Sequence, residues 1–262
     1  MIAQVNTPAR TKRFLRACSG RPVLGTLLPV HLRLFGKSSG CFFAGPSLAV
    51  DANGETVLAA GSCAPEELAS FLGFLGRHRL MTDGPCPAGW HTEETLTVYA
   101  LAPGAQLPLP EAPQGLVLNR AAAPGPVADL LAGGQPQQRE DFYAELCTKR
   151  NHGQARIWAL EQGGAPVCTV QTAALHGTEA YMACGKTVEA LRGRGLGGWL
   201  ITAMANTLAA EGRRAVFVCR PERCHFYDRM GFARAGTLAV YTDLPAGTEK
   251  QSAGGIDNTS RP

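Results

Sequence analysis

Glu189-Ala190-Leu191-Arg192-Gly193-Arg194-Gly195-Leu196-Gly197-Gly198 is the stretch on which the fold of this chain turns. Its glycines let the backbone take angles closed to other residues and come close to a ligand. Before it, residues 180–188 read as a strand. After it, Leu196, Leu200, Met204 and Leu208 recur every four residues, which predicts an amphipathic helix over residues 196–211 that Gly212 ends. The first amides of such a helix have no intrahelical partner and sit at the positive end of its dipole. With Arg192 and Arg194 beside them they make a seat for a diphosphate.

Two common owners of glycine-rich loops do not fit. A P-loop around Gly185-Lys186-Thr187 requires glycine at position 180, which is Ala180. Gly193, Gly195 and Gly198 satisfy the dinucleotide pattern Gly-x-Gly-x-x-Gly, and Arg220 is then cast as a reader of a 2′-phosphate. That pattern comes directly off its strand, however, whereas Glu189 to Arg192 intervene here. It also opens its fold, whereas here several strands precede it.

Arg192-x-x-Gly195-x-Gly197, between a strand and an amphipathic helix, resembles the pyrophosphate-binding motif of the GNAT acetyltransferases. Downstream, Phe226-Tyr227-Asp228-Arg229-Met230-Gly231-Phe232 resembles the family's Tyr-x-x-x-Gly-Phe signature. The helix, apolar strand and short helix between the two motifs agree as well, and the resemblance covers residues 115–242. It implies acetyl-CoA as cosubstrate and direct attack on its thioester by a primary amine, without an acyl-enzyme. It places Thr187, Val188, Arg192, Gly193, Arg194, Gly195, Leu196, Gly197 and Gly198 at the cofactor, with a backbone amide near Thr187 or Val188 serving the oxyanion. Tyr227 matches the family's acid for the departing thiolate; a tyrosine with an ordinary pKa near ~10 holds its proton at neutral pH. The other reading of Tyr227 is that it packs the last strands.

Glu189, beside the loop, is the named candidate base; it and Glu179 also read as solvated surface carboxylates. Arg220 departs from the pattern, since many relatives carry Asn there. It is assigned to the cofactor phosphates or to an anionic acceptor. Cys184 and Cys219 read as core residues and His225 as structural. Lys149-Arg150-Asn151-His152 reads as a basic helix end, with recognition of an acidic acceptor as the alternative. A non-catalytic acyl-CoA-binding or sensing module is the rival function.

Working outward, a strand over 115–120, helices over 127–131 and 138–150, and strands over 155–161 and 166–172 precede the motif. A buried strand over 215–219, a short helix over 221–230 and a strand over 233–242 follow it. The fold class expected is α/β (α+β), a mixed, mostly antiparallel sheet flanked by helices. A Pro/Gly-rich stretch from Pro103 to Pro126 sets a domain boundary, giving 1–114, 115–244 and a disordered tail over 245–262. Residues 1–114 read as helix, then a hairpin around Asn53-Gly54, then a helix over 65–75 capped by Ser62, then a strand over 94–100. This N-terminal α/β domain lacks both motifs. A degenerate copy of the same fold and an unrelated accessory domain both remain open.

The chain has 262 residues and a net charge of +4, with 45% hydrophobic and 18% charged residues. Such a balance fits a globular protein and gives no reason to expect a nucleic-acid partner. The nine cysteines show no Cys-x-x-Cys, so no metal is expected. No apolar run is long enough to span a membrane, and arginines break any leader-like stretch in the first forty positions. The expected setting is the cytoplasm. The partner is a small-molecule or peptide amine, with a homodimer open.

Overall fold

The computed structural model describes residues 1–245, the side chain of Cys184 excepted. The disordered tail expected over 245–262 lies, Pro245 apart, outside the described residues, and so does the packing expected of Cys184.

In chain order the first elements are β1 (Ala3–Gln4), α1 (Pro8–Cys18), α2 (Leu24–Phe35), β2 (Phe42–Ala44), β3 (Leu48–Asp51), β4 (Thr56–Gly61), α3 (Pro65–Phe74), β5 (Arg79–Thr82) and β6 (His91–Leu101). Thr7 caps α1, its Oγ1 accepting from the Arg10 amide at 3.3 Å, and Pro8 takes the first turn. β3 and β4 form the expected hairpin, with Asp51 opposite Leu58. Asp51 Oδ1 stiffens the turn by accepting from the Asn53 amide at 3.1 Å. Ser62 does not cap α3: the helix starts after Ala64 without a side-chain cap, and Pro65 sets its entry. Two helices, not one, precede the hairpin. Pro29 inside α2 and the arginines along α1 hid them, although Phe14, Leu24, Leu27 and Leu28 are buried. The short β5 was also not expected.

The second run comprises β7 (Val117–Asn119), α4 (Pro124–Ala132), α5 (Pro136–Asn151), β8 (Ile157–Gln162), β9 (Ala165–His176), β10 (Glu179–Thr187), α6 (Leu196–Ala210), β11 (Arg214–Cys219), α7 (Cys224–Arg229) and β12 (Ala233–Thr242). Every element expected over residues 115–242 is present, with ends shifted by a few residues. Helix α4 ends at Gly133, φ 60°, in the left-handed region that lacks a Cβ penalty.

The chain forms two compact units. Of the described residues, one takes 1–98, 219–224 and 235–245, and the other takes 99–218 and 225–234. The first unit's sheet runs β1-β2-β3-β4-β5-β12, antiparallel except for the parallel pair β4–β5. Its core packs Leu48, Val50, Val57 and Leu80 against Leu68 and Leu72 of α3. The second unit's sheet runs β7-β8-β9-β10-β11-β6, antiparallel from β7 to β10 and parallel between β10 and β11. There Ile157 and Ala159 of β8 pack against Val127, Leu131 and Leu146 of α4 and α5.

The element order β-α-α-β-β-β-α-β-β thus occurs twice, the second time with α7 added before the last strand. Each sheet is completed by the last strand of the other run. The compact units divide inside β6, at Val98.

Candidate functional site

β10 leaves β9 through Val188, whose amide donates to the Val167 carbonyl at 2.8 Å. That amide is therefore engaged within the protein. Opposed residues of an antiparallel pair alternate between bonded and non-bonded. Thr187, opposite Cys168, falls in a non-bonded pair, so its own amide faces away from β9. On that other side, among the described residues, the ladder with β11 spans Glu179–Tyr181 while β10 runs on to Thr187. The Thr187 hydroxyl donates to Cys168 Sγ at 3.2 Å. Burial pushes the Cys168 thiol up to about 11, with the Thr187 bond acting the other way.

A single 3-10 turn over Glu189–Leu191 then leads to Arg192. Gly193 at φ 75° and Gly195 at φ 76° carry the chain into α6 through the left-handed region. Gly195 is the N-cap, and without a side chain it caps nothing. The first helical bond is from the Trp199 amide to the Gly195 carbonyl at 2.9 Å, so the amides of Leu196, Gly197 and Gly198 have no partner within the helix. A Cβ built on Gly193 or Gly195 would meet nothing within 4 Å, so the loop opens onto free space. Arg192 reaches back, Nε to the Thr187 carbonyl at 3.4 Å. Gly198 is also closely packed: a Cβ there would stand 2.9 Å from Phe226 Cζ of α7.

Tyr227 is 6% exposed and packs among Phe217 at 4.7 Å, Phe226 at 5.2 Å, Tyr99 at 5.5 Å and Phe232 at 6.3 Å between ring centroids. Its neighbour Asp228 is clamped. The buried Tyr99 hydroxyl donates to its Oδ1 at 2.7 Å, while Arg234 donates to both oxygens at 3.0 and 2.6 Å. The Arg234 bonds, then the Tyr99 bond, lower the Asp228 carboxyl from 3.8 to about 2. A carboxyl lowered on folding stabilises above its unfolded pKa and loses that contribution as pH falls through the folded one. Replacing Asp228 by Asn is therefore expected to lower the melting temperature equally from pH 7 down to about 4. The gap to the unsubstituted protein should close between about pH 4 and 2. Thermal melts across that range check it.

The remaining named residues are dispersed. Arg220, in the first unit, pairs through Nε with Glu94 at 3.0 Å. Glu189 is exposed, and Glu179, at the far end of β10, meets Arg214 at 3.4 Å. Cys219 is buried and His225 is exposed. The basic end of α5 follows its structural reading: Lys149 is 3% exposed and bonded to Glu145, Arg150 donates to the Ala122 carbonyl at 3.3 Å, and His152 Nδ1 meets the Thr148 carbonyl at 2.8 Å. Sequence reading passed over Lys186 and Gln171. A glutamine inside the apolar run Cys168–Ala174 was the signal available.

The matching place in the first unit, between β4 and α3, is built differently. Ser62-Cys63-Ala64 replaces the glycines, and the first turn of α3 carries Glu66 and Glu67. Glu67 Oε1 accepts from the Ile2 amide at 3.1 Å. Two carboxylates there oppose an anion. Among the described residues no cluster of three or more His, Cys, Asp or Glu could hold a metal, and no helix is long and apolar enough to cross a membrane.

A comparison with protein-family models matches residues 119–224 to the acetyltransferase (GNAT) domain. A comparison with curated proteins finds no match. Among solved structures, a GCN5-related N-acetyltransferase from Sphaerobacter thermophilus aligns with 92% of this chain and 94% of its own, at a TM-score of 0.60 and 14% identity. One from Kribbella flavida aligns with 77% of this chain and 88% of its own, at 0.55 and 19%. A tandem GNAT protein from the clavulanic acid biosynthesis pathway aligns with 78% of this chain and 79% of its own, at 0.51 and 17%. At these identities the likeness is one of fold. Residues 119–224, which hold the loop and its helix, match a GNAT acetyltransferase domain.

Proposed function

We propose that this protein moves an acetyl group from acetyl-CoA to a primary amine, using the second unit as its catalytic half. The observation that carries this reading is the left-handed Gly193 and Gly195 pair, which turns the unpartnered amides of α6 outward beside Arg192 and Arg194. The open space at both glycines fits a pyrophosphate. Acetyl-CoA, when bound, supplies the activated acyl group.

The chain's own residues then have distinct tasks. The Thr187 amide, turned away from β9, is the donor for the thioester oxygen, since the Val188 amide is spent on Val167. Tyr227 holds a proton for the departing thiolate, with α7 steadied by the Tyr99–Asp228–Arg234 clamp. Glu189 is exposed and near the loop; as a base it would act through water. Arg220, engaged by Glu94, is assigned to the cofactor phosphates only through a change of partner. The protein works in the cytoplasm, where its described cysteines, all free thiols, stay reduced. Residues 1–114 are a degenerate copy of the fold and 115–244 the active one, as the repeated element order and the acidic start of α3 suggest.

A binding module without turnover is the second reading, favoured by the aromatic packing around Tyr227. The Tyr227→Phe variant separates the two. As an acid, Tyr227 is worth about 10²-fold or more in kcat, with CoA affinity kept. Thiol release from acetyl-CoA measures the first quantity and calorimetry the second. Equal turnover in the variant removes Tyr227 from the chemistry. No thiol release with any amine, alongside tight CoA binding, favours the module.

A further inference from the structure

Resting on the transferase reading, the structure also bears on which amine is accepted. Two polar groups with unmet needs stand on the face of the second unit's sheet that α4 and α5 cover. Gln171 on β9 is 3% exposed, and its Oε1 is buried without a hydrogen-bond partner. It lies opposite Ile157, which packs with Val127, Leu131 and Leu146 of the two helices. Opposed residues share a face, so Gln171 faces the helices too. A buried amide oxygen left bare costs free energy unless something arrives to donate to it.

Lys186 on β10 lies opposite Thr169, and Thr169 and Gln171 share one face of β9. The Lys186 ammonium reaches the same helices, donating from Nζ to the Leu131 carbonyl at 2.7 Å. That bond to the end of α4 uses one of its three donors. No carboxylate among the described residues pairs with it. Burial, then repulsion from Arg192, lowers its pKa, as befits a half-buried charge without a counter-ion. A bulge in β10 separates the Ala183–Gln171 pair from the Lys186–Thr169 pair. Diagonal neighbours in a regular ladder stand ~7–8 Å apart, the span of a small molecule. The next residue, Thr187, carries the amide assigned to the thioester oxygen.

We propose that Gln171 and Lys186 recognise the acceptor, and that the acceptor is a small amine bearing an anionic group. Its anion pairs with Lys186, and one of its N–H or O–H donors reaches the Gln171 carbonyl. Both needs are then met by one ligand, at the side of the sheet opposite α6.

Four short amines test this with acetyl-CoA: β-alanine, phosphoethanolamine, propylamine and 1,3-diaminopropane. The two anionic amines should exceed propylamine in kcat/KM by about tenfold or more, and their order tells carboxylate from phosphate. Lys186→Met should raise KM for the anionic amines about tenfold, with KM for acetyl-CoA and the propylamine rate unchanged. Gln171→Leu should raise acceptor KM while the melting temperature holds or rises, because an unpartnered amide is lost. A preference for propylamine or the diamine, no turnover of either anionic amine, or an unchanged KM in Lys186→Met overturns the inference. A fall in melting temperature in Gln171→Leu with KM unchanged makes Gln171 structural and does the same. Absence of CoA binding to the unsubstituted protein, read by calorimetry, removes instead the transferase reading beneath it.

Discussion

A chain ended after Gly231, before β12, is expected to lose cooperative folding of the first unit, although the deletion lies far in sequence from residues 1–98, which make up most of that unit. β12 pairs with β5 from Ala239 opposite Thr82 to Thr242 opposite Arg79. It buries Leu238 and Val240, which are 2% and 3% exposed. At about 1.5–3 kcal/mol for each fully buried side chain, those two alone supply ~3–6 kcal/mol. That is comparable with the whole stability of an ordinary domain, about 5–15 kcal/mol. The ladder with β5 is lost as well, and Leu80 and Met81 of β5 are left at a bare edge. Circular dichroism melts of the shortened chain should show a broad, low transition. A synthetic peptide of residues 232–245 should restore part of it by adding the missing strand in trans. A sharp melt at the full-length temperature would contradict this account. The same reasoning forbids a clean cut at 114/115, since the C-terminal piece would lack β6 beside β11.

Gly195→Ala is expected to weaken CoA binding by about tenfold or more, on top of a modest loss of stability. The position sits at φ 76°, where an L side chain costs roughly 1–2 kcal/mol. The new methyl would also project into space that the proposed pyrophosphate fills. Gly212, at the other end of the same helix, gives a matched control. Its φ is 77° and a Cβ there also meets nothing within 4 Å. Gly212→Ala should therefore lower the melting temperature by a similar amount and leave CoA affinity alone. Calorimetry on both variants separates backbone strain from ligand exclusion. Equal affinity in the two would disconnect the loop from the cofactor.

How much of this was legible in the sequence varied with how local the signal was. The Arg192–Gly198 loop and the four-residue recurrence of Leu196, Leu200, Met204 and Leu208 are encoded within one segment, and the helix they predict is α6. The turn at Asn53-Gly54 was equally local, although the Asp51 side chain holds it and neither Asn53 nor Gly54 takes the positive φ that the pair suggests. The helices before it were harder. Pro29 interrupts the pattern of α2, and it is tertiary burial of Leu27, Leu28 and Val30 that holds the helix together. Ser62 is the right residue type for a cap, yet Pro65 outweighs it by fixing the entry of α3.

The site was legible only in part. Gly198 reads as a ligand-facing glycine, and no local signal shows that it also leaves the room Phe226 needs. Tyr227 reads as an acid or as packing for the last strands, and no local pattern names the distant members of its aromatic shell, Tyr99 from β6 and Phe217 from β11. The pairing of Arg220 with Glu94 joins residues distant in the chain, and no local pattern carries it. The exchange of final strands is of the same kind. A composition change near residue 115 marks where one run of elements ends, but not which strand finishes which sheet.

That exchange sets the order of events during synthesis. The first unit cannot close its sheet when residues 1–98 leave the ribosome, because β12, the strand that covers β5, is translated only after the rest of the second run. Nascent chains would wait with an open β5 edge, and pairings over such long sequence separations form slowly. A growing chain of this protein is therefore a natural client for holding chaperones until β12 emerges.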